Sequence, residues 1–144
     1  MIEQDTIRLL RECDAGIKMG TASIDDVIDY VKDDEFRKLL ADCKDENKEL
    51  ALETERLLDK YKDEGKEPTS IAKGMSWVKT NMKLAMNESD QSIADLITDG
   101  CGNGIKCINR YLNSFKAADE TSKNIAKRLI DTQERLLINI RKFL

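Results

Sequence analysis

Apolar residues recur in steps of three and four along almost the whole chain, the spacing that keeps side chains on one face of an α-helix. Over about residues 5–31 the stripe reads Ile7, Leu10, Asp14, Ile17, Thr21, Ile24, Ile28 and Val31. A second stripe, over about 34–63, reads Phe36, Leu40, Cys43, Asn47, Leu50, Thr54, Leu57 and Tyr61. Between them the carboxylates of Asp33, Asp34 and Glu35 suit a helix cap and first turn. Gly65 and then Pro68 supply a stop. Thr69 or Ser70 can cap a shorter helix over about 69–86, carrying Ile71, Met75, Val78, Met82 and Ala85. After a break at Asn87, Glu88, Ser89 and Asp90, a stretch over about 90–117 presents Ile93, Ile97, Gly100, Gly104, Cys107, Tyr111 and Phe115. The last stretch, about 120–143, presents Ala126, Leu129, Gln133, Leu136, Ile140 and Phe143.

These patterns predict an all-α chain with four long helices, each ~39–45 Å at 1.5 Å per residue. Steps of three and four suit helices packed about 20° from parallel. Short turns join the first long helix to the second and the last two to each other, so each pair is expected to be antiparallel. The 69–86 helix, ~27 Å long, then carries the chain along the bundle from one pair to the other. With 144 residues, one proline and seven glycines, the whole of 1–144 is expected to form one domain with a substantial core.

Composition narrows the function more by exclusion than by signal. The net charge is −4, from 24 basic and 28 acidic residues mixed along the helices. No basic block marks a nucleic-acid surface. No apolar run is long enough to span a membrane, and the opening Met1-Ile2-Glu3-Gln4-Asp5 has no signal-peptide character. A cytoplasmic location is the expectation. There is no histidine, and Cys13, Cys43, Cys101 and Cys107 form no CxxC pair, so zinc sites of the usual kinds are not expected. Cys13, Cys43 and Cys107 fall among apolar positions, where reduced cysteine acts as a small hydrophobe.

The polar residues on the core stripes are the informative ones. Asp14, Asn47 and Gln133 all fall near the middle of their helices and predict a polar layer in the core. Such a layer fixes helix register, and its members must be paired, because an unsatisfied buried group costs on the order of 1–3 kcal/mol. Asp14 and Asn47 are expected to satisfy each other across the first hairpin, and Gly104 to leave room for Gln133. Gly100 and Gly104 each cost roughly 1 kcal/mol of helix propensity, which points to close helix approach or to a small cavity. A carboxylate-bridged di-metal site needs about six ligands, commonly Glu and His. Here only Asp14 lies on a stripe, with Glu46, Glu49, Glu53 and Asp99 flanking it. No metal and no other cofactor is therefore expected.

Two hairpins joined by a long crossover is the connectivity of ferritin-like bundles, and the chain resembles that superfamily. It is most similar in pattern to small bacterial ferritin-like domains of unknown function. The similarity lies in Cys13-Asp14-x-Gly16, in Glu67-Pro68-x-Ser70 leading to Gly74, in Asp90-x-x-Ile93, in Gly100 to Tyr111, and in Gln133. Relatives of this kind often carry a His in the crossover helix, a Gly-Glu pair midway along the fourth helix and a His late in the last. At those places this chain has Met75-Ser76-Trp77, Asn103-Gly104 and Ile138-Asn139-Ile140. The resemblance implies a ferritin-like fold from which the metal ligands are missing, with Asp14 the position retained.

No Gly-rich phosphate loop, nucleophile–base pair or aromatic cluster over a basic groove accompanies the bundle. The expected function is thus a non-catalytic helical protein that associates with itself or with a protein partner. Phe115, Trp77, Met75, Met82 and Met86 are candidates for the associating surface. The alternative is a di-metal oxidase or metal-storage protein using Asp14, Glu46, Glu49 and Asp99. A third reading is an apolar-ligand carrier with a cavity over Gly100 and Gly104.

Overall fold

The computed structural model describes residues 2–63, 65 and 89–144. The helix expected over 69–86, with Met75, Trp77, Met82 and Met86, lies outside them. Among the described residues the chain is helical and has no strand. Helix α1 spans Ile2–Val27 and runs into a 3-10 turn at Ile28–Tyr30. Helix α2 spans Asp34–Lys60, α3 spans Asp90–Ser114, and α4 spans Glu120–Asn139, continuing as a 3-10 turn at Ile140–Phe143. Among the described residues no helix is long and apolar enough to cross a membrane.

The helix starts follow from local chemistry. Asp33 accepts a hydrogen bond from the Phe36 N–H at 3.0 Å, and Asp119 accepts one from the Ser122 N–H at 2.8 Å. Each satisfies one of the four amide donors left free at a helix start, typically worth about 1 kcal/mol. Ser89 makes no such side-chain bond. Instead Asp90, the first residue of α3, accepts from the N–H groups of Lys32 and Asp33 at 2.8 and 2.9 Å. One carboxylate thereby ties the α1–α2 turn to the start of α3. Beyond α2, Gly65 adopts a left-handed φ of +82°, which a glycine accepts without steric cost.

Cross-helix pairs fix which residues lie at the same level. Arg11 meets Asp63 at 2.9 Å, and Lys44 meets Asp25. Glu35, Glu46 and Glu53 pair in turn with Lys142, Arg135 at 2.9 Å and Arg128 at 2.6 Å. The N–H groups of Ala117 and Asp119 donate to Asp5 at 3.1 Å and to Thr6 at 2.8 Å. Helices α1 and α4 each pack against all three others, while α2 and α3 hardly touch among the described residues.

The core falls into two apolar clusters. One is built from Ile24, Val27, Val31, Phe36, Leu40, Cys43, Ile93, Ala94, Ile97, Cys101, Leu136 and Ile140. There Phe36 stacks on Phe143 with ring centroids 4.6 Å apart. The other holds Leu9, Leu10, Cys13, Ile17, Leu50, Leu58, Ile108, Ala118, Ile125, Ala126 and Leu129. Burying each large aliphatic or aromatic side chain contributes about 1.5–3 kcal/mol, so these clusters dominate the packing energy.

Helix α3 departs from the expected stripe. Its buried residues are Ile93, Ala94, Ile97, Cys101 and Ile108, while Gly100 and Cys107 are exposed. The helix is turned by one position over its second half. A turn through Gly100 and Cys107 would bury no side chain at the first position and a small one at the second. The turn through Cys101 and Ile108 buries a thiol and a full aliphatic side chain.

Candidate functional site

Every helix contributes one position to the gap between the two clusters. On α1, Gly20 lies between Ile17 and Ile24; on α2, Asn47 lies between Cys43 and Leu50. On α3, Gly104 lies between Cys101 and Ile108; on α4, Gln133 lies between Leu129 and Leu136. In each case the steps to the flanking core residues are three and four, so the four positions point inward. Cross-helix distances put them at one level. The Asn47 amide nitrogen lies 3.2 Å from where a Cβ on Gly20 would sit. A Cβ on Gly104 would overlap Gln133 Oε1 and lie 3.1 Å from its Cδ. Glu46, next to Asn47, forms a two-armed ion pair with Arg135 at 3.0 and 2.9 Å, which aligns α2 with α4 at the same height.

The layer therefore consists of two amides, each seated on a glycine of the neighbouring helix. Asn47 is 3% exposed. Its Oδ1 and the Oε1 of Gln133 are both enclosed and accept no hydrogen bond among the described residues. Two carbonyl-type acceptors left dry would each cost on the order of 1–3 kcal/mol.

Asp14 lies elsewhere. It is buried, forms an ion pair with Lys18 at 2.9 Å, and its carboxylate rests against Gly65. Six residues separate it from Gly20 on the same helix, ~9 Å along the axis. The pairing expected between Asp14 and Asn47 is thus replaced by Asp14–Lys18 and by Asn47 against Gly20. With Gly20 level with Asn47, Asp14 stands nearly two helical turns away along α1, too far for that pairing. Gly100 also departs from its expectation: nothing lies within 4 Å of an added Cβ, so neither close approach nor a cavity explains it. Gly20 is the member that sequence reasoning missed. Its signal was its spacing from Ile17 and Ile24, which Thr21 shares closely enough to mask it.

The carboxylates considered for metal are dispersed. Glu46 is held by Arg135, Glu49 faces a surface cleft, Asp99 is exposed on α3, and Asp14 is bound to Lys18. Among the described residues no three His, Cys, Asp or Glu side chains are placed to share an ion. These residues do not fit a di-metal centre.

The cleft, about 290 Å³ in volume, lies between α2 and α4 and is lined by Glu46, Glu49, Leu50, Arg128, Asp131, Thr132 and Arg135. Arg128 hydrogen-bonds to Glu53 and holds its carboxyl below the usual range, despite some opposing desolvation. Elsewhere, burial pushes the thiols of Cys13 and Cys43 up to about 12 and that of Cys101 to about 11. Such thiols carry almost no thiolate at neutral pH and are poor nucleophiles.

A scan against protein-family models finds no match for this chain, and searches of curated proteins and of solved structures find none either.

Proposed function

We propose that this chain is a metal-free, non-catalytic ferritin-like bundle that acts in the cytoplasm through association with itself or with a protein partner. The main support is the content of the bundle's centre. Where carboxylate-bridged bundles keep inward Glu and His ligands, this chain seats Asn47 on Gly20 and Gln133 on Gly104. Neutral amides are weak ligands for iron or manganese beside carboxylates.

The order of the cross-helix pairs supports the ferritin-like connectivity. Residue numbers rise along one helix as they fall along its neighbour for α1 with α2, α2 with α4, and α1 with α3. Antiparallel neighbours of this kind leave α2 and α3 parallel to each other, as a crossover between two hairpins requires. Four unpaired cysteines, three of them buried, suit a reducing compartment.

Metal analysis of protein purified from cells supplied with iron and manganese tests the first half of this proposal. Sub-stoichiometric metal is expected. Near-stoichiometric metal that disappears in Asp14→Ala would overturn it. Sedimentation equilibrium over a range of concentrations, with identification of co-purifying chains, tests the second half. A chain that stays monomeric and retains no specific partner contradicts association.

A further inference from the structure

We infer that the mid-bundle layer is an internal water site, in which a bound water bridges Asn47 on α2 to Gln133 on α4. The two groups are at the same height on packed helices, because Glu46 and Arg135, their near neighbours in sequence, join α2 to α4 by a two-armed ion pair. Each presents an enclosed oxygen with no donor among the described residues. Apolar clusters lie above and below them, and the buried hydroxyls of Thr54 and Thr132 on the same two helices donate instead to the carbonyls of Leu50 and Arg128.

Water fits this site by count. It offers two O–H donors, one for each orphan oxygen. Buried water commonly makes about three such bonds to groups that would otherwise go unpaired. Two of the layer's four inward positions, Gly20 and Gly104, carry no side chain, and the two amides are seated over them. A protonated ammonium or a metal ion is a poorer occupant, because the nearest buried carboxylate, Asp14, is bound to Lys18 well along the helix.

Water-oxygen magnetic relaxation dispersion on the wild-type chain, Asn47→Leu and Gln133→Leu tests the inference. A long-lived internal water is expected in the wild type, with its contribution lost in each single variant, because removing either anchor breaks the bridge. A contribution that survives in both variants overturns the inference. A high-resolution crystal structure of the wild type decides the matter if either variant fails to fold. Density for a water at about 2.8 Å from both oxygens is the expected result. The two amides bonded directly to each other, with no water between them, is the overturning one.

Discussion

Replacing Gly104 with alanine sets two effects against each other, and the structure gives the sign of the result. In the interior of α3 the exchange gains about 1 kcal/mol of helix propensity. The added methyl, however, overlaps Gln133 Oε1 and comes within 3.2 Å of Nε2. The amide must swing out of its enclosed seat, and forced repacking of this kind typically costs 1–3 kcal/mol. The net expectation is a loss of roughly 0–2 kcal/mol. Gly100→Ala and Gly102→Ala are internal controls on the same helix, because nothing lies within 4 Å of an added Cβ at either place. Each should gain close to the full 1 kcal/mol, a rise in Tm of about 2–4 °C. Combining Gly104→Ala with Gln133→Ala removes the obstacle, so the propensity gain should return and the pair should couple by about 1–3 kcal/mol. Urea denaturation of the wild type, these four variants and Gln133→Ala alone, with matched slopes, measures all of these. If Gly104→Ala stabilises the chain as much as Gly100→Ala does, Gln133 is not seated on Gly104 and the layer is misdrawn.

Other consequences are open to equally direct checks. Gly65→Ala should lower stability by about 2 kcal/mol or more, since an alanine in the left-handed region costs about 1–2 kcal/mol and its Cβ would also lie 2.5 Å from Asp14 Oδ2; a neutral result in thermal denaturation argues against that contact. In the native protein a thiol reagent should modify exposed Cys107 quickly, and Cys13, Cys43 and Cys101 only after unfolding; a second fast thiol contradicts the core assignment. Stability should also respond to acid through Glu53. Its folded carboxyl lies below the unfolded value of about 4.3, so its contribution is present above that value and is lost as pH falls through the folded one. Arg128→Ala should flatten that part of the acid limb, by under about 1 kcal/mol for so exposed a pair; an unchanged limb would separate Glu53 from Arg128.

Much of this architecture is legible in the hydrophobic spacing, and the failures have physical causes. The α1, α2 and α4 stripes survive in the structure because large buried side chains anchor each on both sides of its middle, such as Leu10 and Ile24, Leu40 and Leu50, and Leu129 and Leu136. In α3 the stripe runs through glycines, so spacing alone cannot choose between Gly100 and Cys101, and side-chain volume decides for Cys101 and Ile108. Asn47 and Gln133 could be read as inward because they interrupt otherwise apolar stripes. Asp14 lies on the same kind of stripe and is buried, but its height depends on how the helices pair. The first turn is tight and capped by Asp33, with α1 ending at Val27. That offset, only visible once the helices are paired, puts Gly20 opposite Asn47 and moves Asp14 toward Gly65. Glycines are silent in a hydrophobic pattern, which is why Gly20 went unread.

The claim on which the rest depends is that Asn47 sits on Gly20 and Gln133 on Gly104, closing the bundle between its two apolar clusters. Nuclear Overhauser contacts in an isotope-labelled sample measure this without mutation. Strong cross-peaks are expected from the Asn47 side-chain amide protons to the Gly20 Hα protons, and from those of Gln133 to the Gly104 Hα protons. Cross-peaks from the Asn47 amide to Asp14 instead, with none to Gly20, would contradict the claim.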